Sequence, residues 1–341
     1  MHNDRLHNDR LHNDRLQNDR RNYLSFVVIV TLFLSLTSFS FGQDPATNWL
    51  KMTPSTSPSG RGAMAMVYDG VSQKIILFGG YDAFSYLNDT WTWDGATWTK
   101  IATANAPSPR AASGIGFDRV TGKVVLFGGY DGTNYFGDTW LFEGSNNTWT
   151  QAHPATVPTA VTLPMLFNDP LNGRVDQFGG FDGFLFQGIT WRWSGSDWIQ
   201  VPCTTNPYAR GAGTAVYDPV HKNVVLWGGL GDLNPLNTWT FDGTNWTEQF
   251  PATQPDITYY LGSTYDTALQ QVIITGGFDS SNFSETWVWT GSDWLKLTPQ
   301  IVPPGRVSLG LAYDEASQQL IMFGGQNATT LFNGTWKLTK R

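Results

Sequence analysis

The chain has 341 residues, 36 of them Gly and 16 Trp, and only 14% are charged, well below the roughly 25% of an average soluble domain. Helix bundles and coiled coils, which need charged helical faces, are excluded by that composition. A net charge of −7 excludes a protein that grips nucleic-acid phosphates, and 14% aromatic residues exclude general disorder.

Residues 1–21 open with a five-residue repeat, His2-Asn3-Asp4-Arg5-Leu6, that recurs to Arg20. Alternating charge and low complexity predict a soluble, disordered tail. Arg20-Arg21 then precede an uncharged apolar run, Tyr23–Phe41, followed by Gly42. A basic flank, an apolar core and small residues at the end predict a signal peptide over 22–42, cleaved after Gly42. The chain would then be secreted, periplasmic or on the cell surface, with no membrane insertion after cleavage. The alternative is an uncleaved anchor formed by 23–41, which is long enough to span a bilayer. Cys203 is the only cysteine, so an internal disulfide is impossible.

From residue 43 on, the chain repeats. Gly pairs stand at Gly79-Gly80, Gly128-Gly129, Gly179-Gly180, Gly228-Gly229, Gly276-Gly277 and Gly324-Gly325. Each follows a short apolar run such as Ile75-Ile76-Leu77-Phe78, the pattern of a buried strand. An aromatic followed by an acid or amide lies upstream of each pair: Tyr68-Asp69, Phe117-Asp118, Phe167-Asn168, Tyr217-Asp218, Tyr265-Asp266 and Tyr313-Asp314. Downstream comes a Trp (91, 140, 191, 239, 287, 336) with a large apolar residue two positions later, hence on the same strand face. A hairpin turn such as Asp94-Gly95 leads to a third Trp: Trp98, Trp149, Trp198, Trp246 or Trp294. Each repeat is therefore four short strands, a to d. Six such repeats predict an all-β, six-bladed β-propeller of four-stranded antiparallel blades over 43–341. The last repeat lacks strand d, and Asp44–Lys51 matches it with Trp49 in the third-Trp slot. An N-terminal strand is thus expected to complete the last blade and close the ring.

The run of apolar strand, Gly-Gly, spacer, Asp-Thr-Trp-x-Trp-Asp-Gly-x-x-Trp resembles the kelch repeat. The form is similar to that of the galactose-oxidase central domain and of many secreted bacterial proteins. The resemblance covers 44–341 and implies a propeller that serves enzymes and binding scaffolds alike. A copper oxidase of this kind would need two His, two Tyr and a Cys. The only His beyond the tail are His153, after strand d of repeat 2, and His221, in the a–b turn of repeat 4. These positions fall on opposite faces of a propeller, so no copper site is expected, and no other cofactor or metal is implied. Cys203 has no activating base nearby. A mutarotase or lyase of the sialic-acid type would need an acid/base group beside a sugar-binding Arg. No such pair stands out among Glu143, Glu248, Glu285 and Glu315.

One pair of slots combines opposite charges. Arg61, Arg110, Arg210 and Arg306 occupy one, seven residues before the strand-a aromatic. Asp82, Asp131, Asp182 and Asp279 occupy the other, two residues after the Gly pair. Both fall at the end of the blades where the d–a and b–c loops gather. One reading is a ring of ion pairs, Asp82 with Arg61, Asp131 with Arg110, Asp182 with Arg210 and Asp279 with Arg306. The other is a recognition face on which the arginines present donors to a ligand. Phe84, Tyr86, Tyr135, Phe184 and Phe186 in the b–c loops, with Tyr208, Tyr259 and Tyr260 in the d–a loops, add aromatic surface there. The sequence therefore predicts a binding or protein-interaction module whose partner is a protein or a carbohydrate, not a nucleic acid. The alternative is a carbohydrate-active enzyme using the same face.

Overall fold

The computed structural model describes residues 47–231, 236–256, 259–278 and 284–340. The tail, the apolar segment 22–42 and Asp279 lie outside the described residues. The compact unit begins at Asp44.

Six four-stranded antiparallel sheets stand in a ring. Blade 1 shows the pattern, with strand a Ala65–Asp69, strand b Lys74–Phe78, strand c Thr90–Trp93 and strand d Trp98–Ile101. The next four blades occupy 114–152, 165–200, 214–249 and 259–297 in the same order. Blade 6 is composite. Gly310–Asp314, Gln319–Phe323 and Thr335–Lys340 are joined by Thr47–Lys51, with Thr47 opposite Lys340 and Lys51 opposite Trp336.

The central b strands are mostly apolar, blade 3 with Asp176 and Gln177 excepted, because each blade packs a neighbour on both faces; Ile75, Ile76 and Leu77 have no solvent exposure. Tryptophans join every one of the six core clusters. The strand-d tryptophan of each blade also donates its indole N–H to a threonine at the start of strand c in the preceding blade. The pairs are Trp98–Thr335, Trp149–Thr90, Trp198–Thr139, Trp246–Thr190, Trp294–Thr238 and Trp49–Thr286, all at 2.9–3.2 Å. A buried indole needs such an acceptor, and here the acceptor also fixes one blade against the next.

The carboxylates that end strand a cap the a–b turns. Asp69, Asp118 and Asp218 each accept a backbone N–H two residues on, from Val71, Val120 and Val220. In blade 3 the cap is Asp169, which accepts from Leu171, whereas the sequence pattern pointed to Asn168. Strand a there ends at Asn168, and the turn begins one residue later than in the other blades.

A second ring lies on the propeller axis. Ala63, Ala112, Leu163, Ala212, Tyr260 and Ser308 all have left-handed backbones, with φ between 51° and 60°. Each N–H donates to the carbonyl of its counterpart in the preceding blade, at 2.7–3.2 Å, so that six hydrogen bonds close on themselves. Left-handed φ costs an L-residue roughly 1–2 kcal/mol, and the closed ring of bonds holds all six in place. Tyr259 and Tyr260, expected in a loop, open the extended strand Tyr259–Asp266 instead.

Candidate functional site

The four arginines lie at the predicted end of the blades but are buried, with relative exposures of 1–2%. Their partners differ from those expected. Arg61 forms a two-pronged pair with Asp89, Nη1 to Oδ1 at 2.6 Å and Nη2 to Oδ2 at 3.0 Å. Arg110 does the same with Asp138, at 2.5 and 3.0 Å. Both also donate to the carbonyl of the first glycine of their pair, Gly79 or Gly128. Burial works against the charge of Asp89 and Asp138, but the arginine hydrogen bonds and charge outweigh it and hold both below the usual carboxylate range. Each carboxylate also accepts an indole N–H, from Trp91 or Trp140 at 2.7 Å.

The arrangement decays around the ring. In blade 4 the carboxylate is replaced by Asn237, whose Oδ1 accepts from Arg210 at 2.9 Å and whose Nδ2 donates to Glu248. Nη2 of Arg210 is buried without a partner. Arg306 donates to the carbonyls of Gly324 and Pro304 and lies 4.2 Å over the Phe332 ring. Burial pulls both Arg210 and Arg306 down to about 10. The arginines thus anchor the lead into strand a against the start of strand c. They present no donors to solvent, which overturns the reading that they contact a ligand.

The aspartates expected to pair with them have another task. Asp82 Oδ1 accepts the N–H groups of Phe84 and Ser85 at 2.8 and 2.9 Å. Asp131 caps Thr133 and Asn134, and Asp182 caps Phe184 and Leu185, at 2.7–2.9 Å. The backbone donors of Asn134 and Leu185, foremost, hold Asp131 and Asp182 below the ordinary range. No described aspartate of this slot pairs with an arginine. The expected ion pairs Asp82–Arg61, Asp131–Arg110 and Asp182–Arg210 are therefore replaced by loop caps, which fold each b–c loop into a tight turn.

Those turns display aromatic side chains. The residue after each Gly pair bridges back across its own loop, Tyr81 to Tyr86, Tyr130 to Tyr135 and Phe181 to Phe186. The rings then touch in sequence from blade 1 to blade 3. Tyr81–Tyr86, Tyr86–Tyr130, Tyr130–Tyr135, Tyr135–Phe181 and Phe181–Phe186 have centroids 4.8–6.3 Å apart. This geometry depends on two glycines. A Cβ on Gly132 would meet the Tyr86 ring at 2.9 Å, and one on Gly183 would meet the Tyr135 ring at 2.7 Å. Both glycines have φ near 100°, outside the range that side chains adopt readily. Beside the belt, Phe84 and Phe184 stand at the turn tips with relative exposures of 95% and 90%, and Leu185 and Tyr208 are exposed as well. The sequence located Tyr86, Tyr135 and Phe184 but gave no sign that the rings form one row.

Among the described residues no cluster of His, Cys, Asp and Glu could hold a metal ion. Burial pushes the Cys203 thiol up, which keeps it protonated and weakly nucleophilic. No helix of the described residues is long and apolar enough to cross a membrane.

No curated protein matches the chain. A family model, the kelch-repeat domain of KLHDC2, KLHL20 and DRC7, matches residues 38–166. The match takes in blades 1 and 2, the two that carry the complete Arg–Asp–Trp anchor, and reaches the start of blade 3. The repeat geometry of those residues continues through six blades, so the chain is a six-bladed β-propeller similar to the kelch-repeat domains.

Proposed function

We propose that this propeller is an exported protein-interaction module that engages its partner through the b–c loop face of blades 1–3. The observation that carries the reading is the aromatic belt from Tyr81 to Phe186, flanked by the protruding Phe84 and Phe184. Large exposed rings on a rigid framework are the usual anchors of a protein interface, because they bury much area at little entropic cost. The kelch architecture agrees with a scaffold role. The enzyme alternative needs a carboxylate with a raised pKa at this face. Asp131 and Asp182 are lowered instead, and the raised carboxylates Asp169 and Asp176 lie inside the molecule.

Export rests on Arg20-Arg21 and the apolar run that follows, placed just before the compact unit begins at Asp44. Two experiments test the proposal. Affinity capture from the native cells with the wild-type chain and with Phe84→Ser/Phe184→Ser should lose its specific partner in the variant. Equal recovery by both would move the interface elsewhere. Fractionation of cells expressing the chain with and without 22–42 should find only the former outside the cytoplasm.

A further inference from the structure

The propeller axis contains a cavity of about 690 Å³, lined by the innermost strand of all six blades. It is distinct from the aromatic belt. At the b–c loop end the six-membered hydrogen-bond ring through Ala63, Ala112, Leu163, Ala212, Tyr260 and Ser308 encircles the axis. The lining begins just inside that ring, at residues such as Met64, Ser113 and Leu309. It ends at the a–b turns, at Gly70, Arg119, Pro219, Thr267 and Glu315. The cavity is therefore a well that opens among the a–b turns, on the face opposite the belt.

Two features define what the well can hold. First, every wall strand is the terminal strand of its sheet, so one of its edges has no strand partner and turns main-chain N–H and C=O groups toward the axis. Between these lie part-exposed apolar side chains, among them Val67, Ile115, Leu166, Val216 and Leu261. Second, the interior is uncharged. Arg119 and Glu315 are the only charged residues of the lining, and both are exposed at the mouth. The phenols of Tyr68, Tyr265 and Tyr313 are pushed up by burial, Tyr265 to about 12, so they too are neutral at physiological pH.

We infer that this well binds a neutral, hydroxyl-rich ring molecule, a sugar or small glycoside, entering from the a–b face. Main-chain donors and acceptors alternate around the wall and suit hydroxyl groups, which both donate and accept. The apolar and aromatic side chains suit the C–H faces of a pyranose ring. An anionic or cationic ligand would give up its hydration without meeting an opposite charge inside. The volume lies within the roughly 300–1,000 Å³ of small-molecule sites. The inference does not depend on the interaction role, since the two sites occupy opposite faces.

The test is a set of saturation-transfer NMR titrations of the full chain with methyl glucoside, methyl galactoside, methyl mannoside and cellobiose, against glucuronate and sialic acid. At least one neutral glycoside should bind with a Kd of about 1 mM or tighter, and the acids at least about tenfold more weakly. Ser263→Phe and Val216→Phe, which fill the well, should weaken binding at least about tenfold; Phe84→Ser on the other face should not. Hydrogen–deuterium exchange needs no variant: the bound glycoside should slow exchange of amides in 214–217 and 261–265. No neutral binder, tighter binding of an acid, no protection of those amides, or loss of binding in Phe84→Ser alone would each overturn the assignment.

Discussion

Trp49 donates its indole Nε1 to Thr286 Oγ1 at 3.2 Å, joining residues 237 positions apart in the chain. The same bond recurs at the other five blade boundaries, but here the indole comes from the first strand of the folded unit and the acceptor from blade 5. The Trp49 side chain is fully buried. Truncating a buried Trp to Ala costs about 3–5 kcal/mol, so Trp49→Ala should lower unfolding stability by that amount in urea titrations. Thr286→Val removes the acceptor and also the hydroxyl contact with Thr275 Oγ1 at 3.0 Å, and should cost about 1–3 kcal/mol, chiefly the penalty of an unsatisfied buried N–H. A Trp49→Ala cost below 1 kcal/mol would mean that this strand does little to hold blade 6.

The four buried arginines make a graded series, and blade 6 is its incomplete member. The position held by Asp89 and Asp138 is Gly334 in blade 6, and its backbone carbonyl accepts from Gly324 much as that of Asp89 accepts from Gly79. A Cβ on Gly334 would lie 3.1 Å from Trp336 Nε1, the counterpart of the Trp91 nitrogen that donates to Asp89. Gly334→Asp should therefore give Arg306 a carboxylate and Trp336 an acceptor. A hydrogen bond to a charged group contributes about 1.5–3 kcal/mol, and the variant should be stabilised within that range. The reverse change, Asp89→Ala, leaves Arg61 buried without its partner and should cost about 3–5 kcal/mol. If Gly334→Asp proves destabilising, the Trp336 ring has not yielded the few tenths of an ångström that the new side chain needs.

The ring of blades was legible because each repeat spends its tryptophans and glycines on the same contacts, so the sequence period is the structural period. The arginine pairing was misread because two aspartate slots recur per repeat, one at Asp82 and one at Asp89, and opposite charge alone does not choose between them. Blade 3 held a hint, although blade 5 keeps Glu285 in the second slot without an arginine. Where Arg is missing in blade 3, at Ala160, the second slot also loses its acid and becomes Ile189, while Asp182 persists. Asp182 stays there because it caps Phe184 and Leu185. The axial hydrogen-bond ring left no trace at all. Ala, Ala, Leu, Ala, Tyr and Ser share no side-chain chemistry, and their left-handed backbones are imposed by the six bonds rather than by residue type. The axial well was equally invisible.

The aromatic belt should respond to a single methyl group. In Gly183→Ala the new Cβ must push the Tyr135 ring, which lies 2.7 Å from its position, and the φ of 100° is itself strained for alanine. The variant should be destabilised by about 1–3 kcal/mol, with a changed near-ultraviolet circular dichroism from displaced tyrosines. If the belt is the interaction surface, partner capture should weaken as well. A variant with wild-type stability and spectrum would show that the Tyr135 ring moves aside freely and that the row of rings is not a fixed unit.

Blade 3 carries a buried ionic cluster where the other blades are mostly apolar. Arg192 on strand c donates to both oxygens of Asp176 on strand b, at 3.0 and 2.8 Å, and also lies 3.0 Å from Asp169. The corresponding pair in blade 1 is Ile76 and Thr92. Burial, foremost, lifts Asp176 to about 7 despite the Arg192 hydrogen bonds and charge, and the nearby Asp169 adds to the lift. In the unfolded chain the same carboxyl titrates near 3.9. A carboxyl raised in the folded state binds its proton more tightly there, so its contribution is fully present below the unfolded pKa and is lost as pH rises through 7. Asp176→Asn keeps the shape and removes the titration. The stability of the wild type relative to this variant should therefore fall as pH goes from about 5 to 8, by at most about 1.4 kcal/mol per pH unit. Thermal unfolding of both proteins across that range measures the difference. A relative stability that is flat or rises with pH would mean that Arg192 keeps Asp176 ionised throughout, and that the cluster acts as a permanent ion pair between strands b and c.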